Sequence, residues 1–226
     1  MNSLIFGATG SIGNYLFNEF NKCGINTIGT TSSLDKVTGN IIYVSNEDYT
    51  NLKNIKNIDI IVWAHGYNFS DNINNFDINK FNTMIDANVS FILNTLHYLI
   101  DNNKINNSAK MVIISSIWEQ STRPNKLSYT ISKAALSGLV KNVSYDLSSK
   151  NILINNVLPG VIDNEMSRKA LSDSHMDYIK NYMNFNRLIT LDDVYKTVKF
   201  LVVDNTGITG QSFKVDLGFT DFKNIV

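Results

Sequence analysis

One cysteine stands in 226 residues, and that excludes an intrachain disulfide. Cys23 is therefore expected to be a small apolar filler in a protein suited to a reducing compartment. Charge of one sign is also lacking: 20 Lys and Arg face 20 Asp and Glu, for a formal net charge of zero, with no block of like charge. A nucleic acid or an anionic membrane surface needs a basic stripe, so neither is an expected partner. No apolar run approaches the ~18 residues of a membrane span. The opening Met1-Asn2-Ser3-Leu4-Ile5-Phe6-Gly7 has neither the basic start nor the long apolar stretch of a secretion signal, so the expected location is cytoplasmic. No repeat, linker or break in composition divides the chain. A single domain over 1–226 is expected, long enough to bury a full core.

What the chain does have is alternation. Short apolar runs at Ser3–Phe6, Thr27–Thr30, Ile41–Val44, Ile58–Val62, Met111–Ile114, Ile152–Val157 and Ser212–Asp216 are separated by stretches of helical spacing. That pattern predicts an α/β fold: a doubly wound parallel sheet of about seven strands with helices on both faces. Between Phe76 and Leu99 the apolar positions Phe81, Met84, Ile85, Val89, Ile92, Leu93, Leu96 and Leu99 predict a long helix. Asn88 falls inside that stripe, and a buried amide there must find partners. From Asp163 to Arg187 the pattern turns polar and mixed, with Met166, His175, Met176, Tyr178, Tyr182 and Met183 scattered through it. So long an excursion in a compact domain is read as a lid over a substrate.

The first strand runs into Gly7-Ala8-Thr9-Gly10-Ser11-Ile12-Gly13 and reopens as a helix. A strand that breaks into glycines before a helix leaves free backbone N–H groups and the positive helix end for a phosphate. Gly7 suits the tight turn, Gly10 the close approach of a pyrophosphate and Gly13 the packing of helix on strand. The second strand ends at Thr30-Thr31-Ser32, where the adenosine ribose would lie. An acidic residue there would select NAD. None appears before Asp35, and hydroxyls with Lys36 tolerate a 2′-phosphate, so NADP is preferred with NAD possible.

Tyr129 and Lys133 are one helical turn apart, in a run where Ala134, Ala135, Leu136, Leu139, Val140, Val143 and Leu147 recur at helical spacing. A free tyrosine titrates near ~10, and an ammonium one turn away favours its phenolate. Ser116 ends the fifth strand, on the side of a doubly wound sheet where ligands bind. A hydroxyl that holds an oxygen beside a tuned phenol suits proton transfer to a carbonyl or from an alcohol.

Taken together, Gly7-Gly10-Gly13, Asn88, Ser116, Tyr129, Lys133, Pro159-Gly160, Ile208-Thr209-Gly210-Gln211 and Val215-Asp216 resemble the classical short-chain dehydrogenase/reductase family over essentially the whole chain. Asn88 and Ser116 are 28 residues apart and Ser116 and Tyr129 are 13 apart, spacings similar to the family's. The resemblance implies a Rossmann fold and an NAD(P)-dependent oxidoreductase acting on a carbonyl or secondary alcohol. It makes Tyr129 the general acid/base. Lys133 tunes it and binds the nicotinamide ribose, Ser116 orients the substrate, and Asn88 holds a relay water. It also implies cofactor contacts from Gly7, Thr9, Gly10, Ser11, Ile12 and Gly13, from Thr30, Thr31 and Ser32, from Ala64, His65 and Gly66, and from Pro159, Gly160, Val161 and Ile162. No metal is implied, and a homodimer or homotetramer is, through the helices that carry Phe81–Leu99 and Tyr129–Leu147.

Three departures stand out. The glycine turn has the tighter spacing of the extended members, which include sugar epimerases and dehydratases. Trp63-Ala64-His65-Gly66 stands where the family has Asn-Asn-Ala-Gly. Asn164 stands where it usually has Thr. Two other functions are therefore carried alongside: a non-catalytic NADP-binding sensor or scaffold, and a nicotinamide-retaining epimerase or dehydratase. The substrate is not written in the sequence. Arg123, Arg168, Lys169 and Arg187 fit an anionic group or plain surface charge, and Trp118 fits an apolar wall.

Overall fold

In the computed structural model the chain is described except at 164–166, 168–173, 175–178, 182–184 and 222–226. Seven strands form one sheet: β1 (Asn2–Phe6), β2 (Asn26–Thr31), β3 (Ile41–Tyr43), β4 (Ile58–Trp63), β5 (Ile105–Ile114), β6 (Leu153–Pro159) and β7 (Ser212–Val215). Their order is β3-β2-β1-β4-β5-β6-β7. Every pair is parallel. The sequence reverses direction across the sheet between β1 and β4, the switch point where ligands bind in such folds.

The helices that matter to the site are α1 (Ser11–Lys22), α2 (Ile78–Ile85), α3 (Phe91–Asp101), α4 (Leu127–Asp146) and α5 (Leu191–Lys199). Strand side chains alternate between the faces. Leu4, Phe6, Ile61, Trp63, Met111 and Ile113 pack with Leu96, Leu99, Leu136, Leu139 and Val140 of α3 and α4. Their neighbours Ile5, Ile60, Val62, Val112 and Ile114 point the other way, onto Leu16 and Phe20 of α1 and Val194 and Val198 of α5. Each fully buried side chain of this size contributes roughly 1.5–3 kcal/mol relative to exposure. Continuous apolar runs, rather than alternating ones, are thus what a sheet covered on both faces requires. Among the described residues, no helix is long and apolar enough to cross a membrane.

Several expectations are corrected. Strand β5 reaches back to Ile105, because its polar first half pairs at Ile58↔Ile105 before the register slips between Ile58 and Ile60. Strand β6 runs on through Pro159, which pairs with Val215 at its very end. The helix expected over 76–99 begins only at Ile78, capped by Asp77, whose Oδ1 accepts from Asn79 N (2.8 Å) and Lys80 N (3.2 Å). A π-helical turn at Asp86–Ser90 then widens the repeat. With the added residue the buried positions fall at Met84, Asn88, Ile92, Thr95, Leu96 and Leu99, and Leu93 is left exposed. On α4, Ala134 and Ala135 also face outward. Cys23 is exposed rather than a core filler, because it caps the C-terminus of α1 where the chain turns.

Candidate active site

The glycine turn is built as its spacing requires. Gly7 has φ +79°, and a Cβ there would lie 2.7 Å from the His65 backbone nitrogen. At Gly13 a Cβ would lie 2.1 Å from the Gly7 carbonyl oxygen, so α1 rests directly on the turn. Gly10 is the N-cap of α1 with no side-chain cap on the first N–H groups. Exposed Ser11 and half-buried Ile12 follow it. A cavity of about 570 Å³ opens beside this turn, lined by Gly7, Thr30, Ser32, Tyr43, His65 and Gly66 among others. Thr31 is not in that lining. It is buried, with its hydroxyl bonded to Thr9 Oγ1 at 3.1 Å, so Thr9 and Thr31 brace each other beneath the turn. Half-buried Ala64 continues the β4 pairing through its N–H to Phe6 O (2.9 Å). Asp35 and Lys36 are exposed on a short turn beyond β2.

Asn88, Ser116, Tyr129 and Lys133 converge beyond the carboxyl ends of β4 and β5. Lys133 is buried and donates to Ile114 O, the last carbonyl of β5, at 3.2 Å. Its Nζ lies 5.7 Å from the Tyr129 ring centroid. Ser116 is buried where β5 gives way to a single turn, Ile117–Glu119, and its Oγ accepts from Trp118 N at 3.3 Å. A Cβ on Gly66 would come within 3.7 Å of both Asn88 Oδ1 and Lys133 Nζ, which places the β4 loop against the same cluster. Asn88 is saturated by protein: Oδ1 accepts from Tyr67 N (2.7 Å), while Nδ2 donates to Tyr67 O (2.9 Å) and Ser132 Oγ (3.0 Å). Its two amide hydrogens are spent, so the side chain ties the β4 loop to α4. The π turn that carries it is a bulge of the kind often found at functional sites.

The electrostatics follow from burial. Desolvation pushes the Tyr129 phenol up to about 12, against the hydrogen bond from Ser116, which pulls it down. The phenol is thus held in its acid form. Desolvation lowers Lys133 to about 8, and the Glu119 carboxylate holds it up. His65 is forced to stay neutral, down to about 3, by burial and then by the Lys133 charge. Both of its ring nitrogens are buried without a hydrogen-bond partner, and its ring meets Phe91 edge-on at 4.7 Å.

On the far side, Pro159 and Gly160 close β6. A Cβ on Gly160 would come within 2.9 Å of Asp216 Cβ, so this glycine is needed for the approach of the chain after β7. Val161 is half-buried and Ile162 buried, and Ile162 bridges to Ile189. The segment between them therefore leaves and returns at one place. Asn164, Met166, Arg168, Lys169, His175, Met176, Tyr178, Tyr182 and Met183 lie outside the described residues. Arg187 is engaged by Asp193 (2.8 Å).

Four residues of the site escaped the sequence reading. Glu119 is buried and takes hydrogen bonds from Ser212 Oγ (2.5 Å) and Asn156 Nδ2 (3.0 Å). Lys126 is buried with its Nζ 5.3 Å from the Tyr129 ring centroid. Asp71 accepts from Ser128 N at 3.0 Å and from Ser128 Oγ, fixing the start of α4. Ser132 links the Tyr129 carbonyl (2.8 Å) to Asn88. Only Lys126 had a usable signal, its position one turn before Tyr129. The others depend on contacts across 37 to 93 residues of chain.

Residues 50–220 match the family model described as "Enoyl-(Acyl carrier protein) reductase". The chain is 30% identical to the 3-oxoacyl-[acyl-carrier-protein] reductase FabG of Rickettsia felis, with 96% of this chain and 95% of the relative covered. It is 26% identical to the 7alpha-hydroxysteroid dehydrogenase of Clostridium sardiniense over 72% of this chain and 63% of that one. Among solved structures it is similar to ElxO with NADP bound, at 26% identity, TM-score 0.82 and coverage of 98% and 99%. A short-chain dehydrogenase family protein from Francisella tularensis shares the fold at TM-score 0.87, 23% identity and the same coverage.

Proposed function

Because this chain belongs to the short-chain dehydrogenase/reductase family, a family of oxidoreductases, we propose that it interconverts a carbonyl and a secondary alcohol with NADP(H), using Tyr129 as general acid/base. The observation that carries this reading is the convergence of half-buried Tyr129 with buried Ser116 and Lys133 in one cluster.

The residues fit a dinucleotide. The turn has no room for a Cβ at Gly7 or Gly13, the first N–H groups of α1 are uncapped, and the cavity beside them is lined by Thr30 and Ser32 at the β2 end, its one lining carboxylate, Glu47, coming from beyond β3. The structural relative bound to NADP supports the phosphorylated form. Gly7 to Gly13 would hold the pyrophosphate, Thr30 and Ser32 the adenosine end, His65 and Gly66 the middle, and Pro159 to Ile162 the nicotinamide side. When bound, the cofactor supplies or accepts the hydride.

The chain's own part is orientation and proton transfer. Ser116 Oγ holds the substrate oxygen. In reduction, the neutral Tyr129 phenol gives its proton to that oxygen, and the Lys133 ammonium stabilises the phenolate left behind. In oxidation the steps reverse. The segment 163–187, whose ends meet at Ile162 and Ile189, serves as the substrate lid, within a single domain spanning the chain. Two copies pair through the exposed apolar face of α3 and α4, where Leu93 (45% exposed), Ile131 (43%) and Tyr145 (81%) stand out. Light scattering at the mass of one chain would refute that pairing.

The decisive test is Tyr129→Phe. NADPH consumption with a panel of ketones should fall by roughly 10²–10⁴-fold, while NADPH still binds. Retained turnover sinks the proposal. A sensor would consume no NADPH in the native protein, and an epimerase would retain its nicotinamide without net consumption.

A further inference from the structure

The reaction needs one ammonium beside Tyr129, yet the site holds two more cations. Lys126 is 3% exposed, and its Nζ donates to Asn68 Oδ1 at 2.7 Å. It stands over the Tyr129 ring, at a distance similar to that of Lys133. Arg123 is half-buried and lies 5.9 Å from the Trp118 ring centroid. Its guanidinium has no hydrogen bond or ion pair among the described residues. Trp118 and Arg123 belong to the stretch between Ser116 and Tyr129, and the Arg123 charge acts on Lys126, which stands over the Tyr129 ring.

Two like charges held together out of bulk water repel. Burial lowers Lys126 to about 8, and Arg123 lowers it further, while Asp71 alone raises it. Burial also lowers Arg123. Asp71 makes no ion pair with either cation among the described residues; its oxygens receive Ser128 N and Ser128 Oγ. A partly desolvated guanidinium without a partner is costly in the free protein. An arriving oxyanion removes that cost, and the guanidinium fork is the group that receives a carboxylate or phosphate in two parallel bonds. Of the other cations near the site, Lys133 is committed to Ile114 O and Arg187 to Asp193.

We propose that the substrate carries an oxyanion, a carboxylate or a phosphate, close to its reacting carbonyl, and that Arg123 receives it with Lys126 behind. This rests on the reductase reading and narrows it.

The test pairs charged and neutral ketones under NADPH: 2- and 3-oxo acids beside their methyl esters, and dihydroxyacetone phosphate beside dihydroxyacetone. The charged member of at least one pair should show a KM at least ~10-fold lower, as expected for one charge-assisted fork. In Arg123→Gln that ratio should collapse to within about twofold. The two kinds of pair separate carboxylate from phosphate. A ratio near one in the native protein, or one that survives in Arg123→Gln, overturns the proposal. Should none of these ketones turn over, the same compounds are titrated against NADPH-loaded Tyr129→Phe by tryptophan fluorescence, because Trp118 touches Arg123. Saturable binding of the anions only, lost when Arg123→Gln is added, supports the proposal. No saturation below about 10 mM overturns it. Equal use of neutral ketones defeats this inference and leaves the reductase reading standing, whereas turnover by Tyr129→Phe defeats the role of Tyr129 on which both rest.

Discussion

Gly13→Ala and Gly10→Ala should separate the structural and the ligand-binding halves of one turn. At Gly13 the added methyl would sit 2.1 Å from the Gly7 carbonyl oxygen and 2.8 Å from its carbon. Both are backbone atoms, so no side chain can swing aside, and α1 must move off the turn by about 1 Å. Overpacking of this kind costs typically ~1–3 kcal/mol. For a chain of this size that lowers Tm by roughly 2–12 °C. The same movement drags the N–H groups of α1 from the pyrophosphate, so NADPH affinity should fall at least ~10-fold. At Gly10 the methyl would lie 3.5 Å from Gly7 O, an ordinary contact, and φ is −82°, which any residue adopts. Its cost is that of a poorer N-cap, about 1 kcal/mol or less. Yet it places carbon where the phosphate must approach, so NADPH binding should weaken with little loss of Tm. Scanning calorimetry and a fluorescence titration read the two effects apart. A Gly13→Ala protein with native Tm, or a Gly10→Ala protein with native NADPH affinity, would show that the turn does not work this way.

Two further outcomes follow from the buried charges. Because the Glu119 carboxylate holds Lys133 up against burial, Glu119→Gln should bring the alkaline fall of carbonyl reduction to lower pH; a uniform loss of rate with the fall unmoved would mark Glu119 as structural only. His65 is held near 3, against ~6.5 in the unfolded chain. The unfolded chain therefore takes up a proton that the folded one refuses. The stability from this site is fully present above ~6.5 and drains away as the pH falls toward 3. Urea midpoints at pH 7.5 and 4.5 should differ less in His65→Asn than in the native protein, and equal differences would contradict the buried neutral imidazole.

The sheet was legible because its strands are apolar on both faces, and only a doubly covered parallel sheet asks for runs such as Ile60-Ile61-Val62. The residues at strand ends were legible for a similar reason: Gly7 and Ser116 occupy places where a strand stops being regular, whereas Tyr129 was legible by its one-turn spacing from Lys133 in α4. What could not be read was decided at a distance. Nothing near Asn88 in sequence announces Ser132 or the π turn that shifts the helix by a residue and turns Leu93 outward. Nothing beside Glu119 in sequence announces that it is buried, where Ser212 and Asn156 from two strands come to meet it. Thr31 looked like a ligand contact, but Thr9 claims its hydroxyl.

The strand order also governs the order in which a nascent chain can acquire its parts. β1 gains its second neighbour only when residues 58–63 have left the ribosome, and from there each new strand joins the same growing edge, β5, then β6, then β7. The nucleotide cradle belongs to the strands made first. The helix bearing Tyr129 lies between β5 and β6 in the chain, so the proton donor arrives after the glycine turn and before the Pro159–Ile162 wall. A polypeptide halted at the end of β5 would own the glycine cradle and no proton donor.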